Sequence, residues 1–247
     1  MPYTLTVNIA EPGTPLKDGH TSYAGHMWYS ISDGKTSNNY GFAPVKPGDT
    51  SGPGHVSTKD NEEYKSTYYK RTLEISKDQY DKLKSFGDAA IKKDEKLFKL
   101  EYNGLNHSCV DFTWAALNHA DIHTNKKLPA MVGIDMADKN YEGSLKPTRN
   151  MEDIQRIKAP LTKSQLNKED FTPMEAGSKQ WLQRLLSEEQ KAASPDLAST
   201  QTPDVSANSK QIIHQRIMEN LRNNPDFLAA RTENNLSDDK SQGLQPG

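Results

Sequence analysis

A single cysteine, Cys109, stands among 247 residues, in the stretch "LEYNGLNHSCVDFTWAALNHADI". A thiol attacks as the thiolate, which is favoured in the first turn of a helix and beside an imidazole. Cys109 meets the first condition if a helix begins near Asn106 or Ser108. The structural alternative is that an isolated cysteine is a small buried hydrophobe. The polar run Asn106-His107-Ser108 before it is what makes chemistry worth considering. The second requirement is a base. Of seven histidines, His26 stands out because it opens the strand-like "HMWYSIS" behind Gly25. From there an inward imidazole reaches a neighbouring helix, whereas the plainer reading is a surface histidine on a hairpin. His107 lies too close along the chain to face Cys109. His119 and His123 are four apart, but Ala120 replaces the carboxylate of an HExxH motif. His119 also lies almost three helical turns beyond Cys109, too far for the two to share an ion.

The elements that would position these groups are legible. "YTLTVNIA" (Tyr3 to Ala10) alternates Leu5, Val7 and Ile9 with polar residues, as a half-buried strand does. "HMWYSIS" and "NNYGFA" flank "DGKTS", a hairpin signal. "VKPGDTSGPGH" (Val45 to His55) reads as a loop, and "YYKRTLEI" (Tyr68 to Ile75) as a further strand. Ser76 and Gln79 have capping-box spacing, so a helix starts there. "KLFKLEY" fits a strand or the end of that helix. Around Cys109, two adjacent stripes (Val110, Thr113, Trp114, Leu117 and Cys109, Phe112, Ala116) make a helix apolar over much of its surface, hence a central one.

After about residue 125 strand alternation stops. "MEAGSKQWLQRLLSEEQKAA" and "QIIHQRIMENLRNN" read as amphipathic helices, with a Ser/Thr/Pro-rich linker near 194–209 between them. The expectation is therefore an α+β domain over 1–125 and a helical extension over 126–247. Hydrophobic residues make up 33% of the chain, low for one compact domain of this length. With 31 basic and 33 acidic residues and a net charge of −2, nothing suggests a nucleic-acid partner. No apolar run approaches a membrane span. One cysteine excludes an internal disulfide. "MPYTLTVNIAEPG" has no basic and apolar leader pattern.

"AGHMWYSISDGKTSNNYGFAP" followed by "NHSCVDFTWAALNHADI" resembles the NlpC/P60-like papain-fold peptidases, in the permuted group where the histidine strand precedes the cysteine helix. Permuted relatives include lecithin:retinol acyltransferase-like proteins, and similar versions occur as toxin domains of contact-dependent and type VI secretion systems. The likeness covers about residues 3 to 123. Ser108 stands where that family often has Asn. The resemblance implies a papain-like antiparallel sheet with a central cysteine-bearing helix. It makes Cys109 the nucleophile and His26 the base, with no cofactor or metal. It also asks for a third polar residue from the neighbouring strand to orient the imidazole. Asn39 is the choice, because the Asp33-Gly34 turn puts it on the face of His26; Asn38, Tyr40 and His55 stay open. The Cys109 amide is the natural oxyanion donor.

The implied activity is hydrolysis of amide bonds in peptidoglycan stem peptides by an antibacterial effector. Such a protein is made in the cytoplasm, exported by a secretion machine and active in a target-cell periplasm. Its partners would be peptidoglycan, a cognate immunity protein and a component of that machine. A thioesterase, phospholipase or acyltransferase would use the same Cys and His but needs an apolar acyl groove. A non-catalytic binding module, with Cys109 structural, is the third reading.

Overall fold

Hydrophobic alternation organises the sheet. In the computed structural model, which describes residues 1–125 and 136–173, β1 (Tyr3–Ala10), β2 (His26–Ser32), β3 (Ser37–Pro44), β4 (Ser51–Ser57), β5 (Tyr69–Ile75), β6 (Glu101–Asn103) and β7 (Lys168–Phe171) form one sheet. Its order is β7-β5-β1-β2-β3-β4-β6, and every neighbouring pair is antiparallel. Leu5 lies opposite Ile31 and Leu73, Val7 opposite Tyr29, and Ile9 opposite Met27. One face is therefore apolar, as the period of 2 requires. The other presents Thr6, Asn8, Ser30 and Thr72. Two short helices, α1 (Asp60–Glu63) and α4 (Met151–Gln155), and two long ones, α2 (Lys77–Ile91) and α3 (Cys109–His119), accompany the sheet, together with a 3-10 turn at Pro147–Asn150 and two short two-stranded ladders. The protein is thus an α+β fold built on an antiparallel sheet. No helix among the described residues is long and apolar enough to cross a membrane.

The long helices cover the apolar face. Ser76 caps α2: its Oγ accepts the Gln79 amide at 3.1 Å, and Gln79 Oε1 accepts the Ser76 amide at 3.1 Å. Tyr29 donates its hydroxyl to the Leu83 carbonyl, and Tyr40 to Asp88. Both expected stripes of α3 are buried, with Phe112, Trp114, Ala116 and Leu117 at 0% exposure. α3 lies at the centre of the apolar side.

Two expectations need correction. The stretch expected as a loop from Val45 to His55 contributes most of β4. Its glycines serve a strand: a Cβ on Gly54 would lie 2.4 Å from the Phe42 ring. The bare backbone lets that ring pack and the Gly54 amide reach the Leu100 carbonyl at 2.6 Å. Gly- and Pro-rich composition signals a loop only where no neighbour exploits the missing side chain.

The boundary expected after Asn125 falls inside the compact unit, which runs from Met1 to Met174. Thr124 and Asn125 pair with Asp138 and Ala137, and β7 adds to the sheet beside β5. Arg71 donates to the Ile154 and Ile157 carbonyls and meets Glu169 at 3.1 Å. Ile154 and Ile157 are core residues. Their segment has no long periodic run, because single side chains anchor it. The two helices and the linker expected after residue 174 lie outside the described residues.

Asn150 is the main anchor. It is fully buried, its Oδ1 accepts the Trp114 indole N–H at 3.1 Å and the Ser144 amide at 2.8 Å, and its Nδ2 donates to the Ser144, Lys146 and Pro147 carbonyls. Asn150→Ala leaves several of these groups buried without partners and should lower the unfolding free energy by roughly 2–4 kcal/mol. Urea unfolding tests this; a loss below about 0.5 kcal/mol would show that the segment is not part of the cooperative unit.

Candidate active site

The start of α3 is built by its N-cap. Ser108 is extended, and its Oγ accepts the Val110 amide at 3.2 Å. Asp111 closes a capping box by accepting the Ser108 amide at 2.7 Å and the Ser108 hydroxyl at 2.8 Å. The box engages the amides on either side of Cys109 and not the Cys109 amide itself. Thr113 donates to the Cys109 carbonyl at 2.9 Å and lies 3.3 Å from the Met27 carbonyl. This ties the helix start to β2. Cys109 is a free thiol at the first helical position, 6% exposed.

His26 opens β2, entered through Gly25 at φ +75°, where a Cβ would lie 2.5 Å from the Ala10 carbonyl oxygen. Only glycine suits that turn. The β2–β3 ladder ends at Trp28–Gly41, two residues short of His26. The strands part there, and the Cys109 thiol is one of the groups that act on the charge of the imidazole. Its ring stacks on Trp28 (centroids 5.5 Å) and Tyr64 (5.3 Å). Tyr64 is held by the strap before β2: it pairs with Leu16, and its hydroxyl meets Ser22 Oγ at 3.3 Å.

The third residue is an acid. His26 Nε2 lies 3.5 Å from Asp60 Oδ1, and both side chains are almost fully buried. At 3.5 Å the contact is a long one, as polar contacts of unliganded sites often are. The second Asp60 oxygen, Oδ2, has no hydrogen-bond partner among the described residues. Gly41 makes the space. A Cβ there would lie 2.2 Å from Asp60 Oδ2 and 2.7 Å from His26 Nε2.

Asn39 is therefore not the residue that meets the imidazole. It shares the His26 face, as expected, but its register partner is Ser30, four residues or about 13 Å along the strand from His26. Its Oδ1 instead accepts the Asp60 amide at 3.1 Å, so it positions the carboxylate that faces the imidazole. Of the other options, Asn38 is half-buried and His55 exposed, and Tyr40 faces α2. Asp60 escapes a reading of the chain because "STKDNEEY" has the composition of a solvated turn. Its neighbours Glu62 and Glu63 are exposed, and Asp60 alone turns inward.

The electrostatics favour a charged imidazole. Burial opposes the charge on His26, but Tyr64, Cys109 and Asp60 outweigh it and hold its pKa well above the ordinary value. Burial raises the Tyr64 phenol, so it is uncharged at neutral pH and the attraction that acts there falls to Asp60. Burial also holds the Tyr102 phenol above its ordinary value.

The remaining described histidines lie elsewhere. His20 pairs with Asp18, His107 bonds the Lys99 carbonyl, His119 packs on Phe86, and His123 meets Asn118. No three His, Cys, Asp or Glu side chains gather as a metal site among the described residues. No family model, characterised protein or solved structure matches this chain.

An imidazole raised in the fold favours the folded state by an amount fully present below the unfolded value of about 6.5 and lost as pH rises through the folded value. NMR titration should therefore place the His26 midpoint well above 6.5. Gly41→Ala should bring it back toward that value by pushing Asp60 and the ring apart. An unchanged titration in Gly41→Ala would show that the carboxylate does not hold the proton on the ring.

Proposed function

We propose that the protein is a cysteine hydrolase of papain-like type, with Cys109 as nucleophile, His26 as acid–base and Asp60 as the group that orients and charges the imidazole. The supporting observation is the convergence of three residues, separated by dozens of positions in sequence, at one helix start. In this reading the Cys109 sulfur attacks the amide carbonyl, and a sulfur–carbon bond forms. The oxyanion is met by the free Cys109 amide. As the carbon–nitrogen bond breaks, the imidazolium gives its proton to the leaving amine. Water then attacks the thioester, His26 takes the water's proton, and the thiolate leaves.

The substrate we propose is an amide bond of a peptidoglycan stem peptide, and the role that of an antibacterial effector exported by a secretion machine, restrained by a cognate immunity protein and active in a target-cell periplasm. The groove beside the site favours this over an acyl substrate. Apart from Trp28 and Tyr64 at one side, its lining is Thr, Ser, Asn, Lys and Asp side chains, which offer an acyl chain little apolar surface.

Incubation with purified peptidoglycan followed by mass spectrometry tests the reading. New stem-peptide fragments are expected from the wild type. Cys109→Ala should lower their rate by at least about 10³-fold while keeping the fold, and Asp60→Asn by up to about 10²-fold. Full activity of Cys109→Ala would falsify every covalent mechanism at this site. Released fatty acid from lipid, with peptidoglycan untouched, would transfer the assignment to the acyl-group enzymes.

A further inference from the structure

On the polar face of the sheet lies a groove of about 680 Å³, separated from the thiol by the aromatic wall of Trp28 and Tyr64. Four lysines border it, Lys17, Lys65, Lys70 and Lys168, against one acid, Asp170. None of the four makes an ion pair among the described residues, unlike Lys77, Lys82, Lys84, Lys96 and Lys99. The floor is built and polar. Asn8 and Ser30 are buried and bonded to each other at 3.2 Å, Ser30 meets Asn61, and the Thr6 and Thr72 hydroxyls are 2.9 Å apart. Unpaired ammonium groups around a concave wall focus a positive potential in a chain whose net charge is −2. Hydroxyl and amide donors beneath them suit carboxylate oxygens. A nucleic acid fits poorly, because the one indole here, that of Trp28, is fully buried and offers no face for stacking.

We infer that this groove binds the free carboxylates of an acidic peptide, holding the part of the substrate that extends beyond the scissile bond. Tyr64 joins the two regions, since it borders the groove and stacks on the His26 ring. This rests on reading Cys109 and His26 as a peptide-cleaving pair. It adds that the substrate is chosen by negative charge on a surface the nucleophile does not touch.

The test uses the full chain carrying Cys109→Ala and two probes: a synthetic stem tetrapeptide with free carboxylates, and the same peptide with them amidated. Calorimetry should show the free peptide binding at least about 10-fold more tightly, with affinity falling as salt is added. Combining Lys65→Ala, Lys70→Ala and Lys168→Ala should remove the preference, while Lys35→Ala with Lys92→Ala and Lys93→Ala, an equal loss of charge at exposed positions away from the groove, should not. Equal binding of the two probes, absence of binding, or a preference that survives the triple change overturns the proposal. The active-site reading is judged separately, by hydrolysis in the wild-type protein. Cleavage of both probes at equal rates rejects the groove and keeps the nucleophile. Selective binding without cleavage of either probe does the reverse.

Discussion

A carboxylate buried against an imidazole is the interaction around which the site is arranged. Two ionisable groups withdrawn from water hold each other only if each is also placed by something else. Asn39 places Asp60 through its backbone amide, Gly41 gives both groups room, and the parting of β2 and β3 exposes the ring to the tip of α3. Each support comes from a different segment. The sheet must form in register before Asp60, His26 and Cys109 can meet, so the site is a property of the whole fold rather than of a local motif.

Much of the scaffold was readable because period and punctuation agree. Leu5, Val7 and Ile9 alternate cleanly, Asp33-Gly34 marks the hairpin between β2 and β3, and both long helices carry their caps. Cys109 and His26 stood out as the lone thiol at a helix start and the histidine behind a glycine. Asp60 did not. A buried acid in a charged run has no period, and its role depends on an empty space at Gly41 that only the folded register creates. The loop expected before His55 misled for a related reason, since β4 depends on the missing side chain of Gly54. Both failures are failures to see what a glycine leaves room for.

The described residues beyond Asn125 show a different kind of illegibility. Their attachment runs through single polar side chains, Asn150 beneath Trp114 and Arg71 beneath Ile154 and Ile157. Contacts of this kind leave no pattern along the chain, yet each satisfies several buried groups at once. The division suggested by composition therefore cut through one compact unit.

The stack of His26 on Trp28 and Tyr64 has an optical consequence. A protonated imidazole facing an indole at 5.5 Å is a cation over a π face, and such a cation quenches indole emission. Proton movement on the His26 ring is then coupled to the brightness of a native fluorophore. The protein carries its own reporter of the charge state of its base, readable in a stopped-flow instrument without any label.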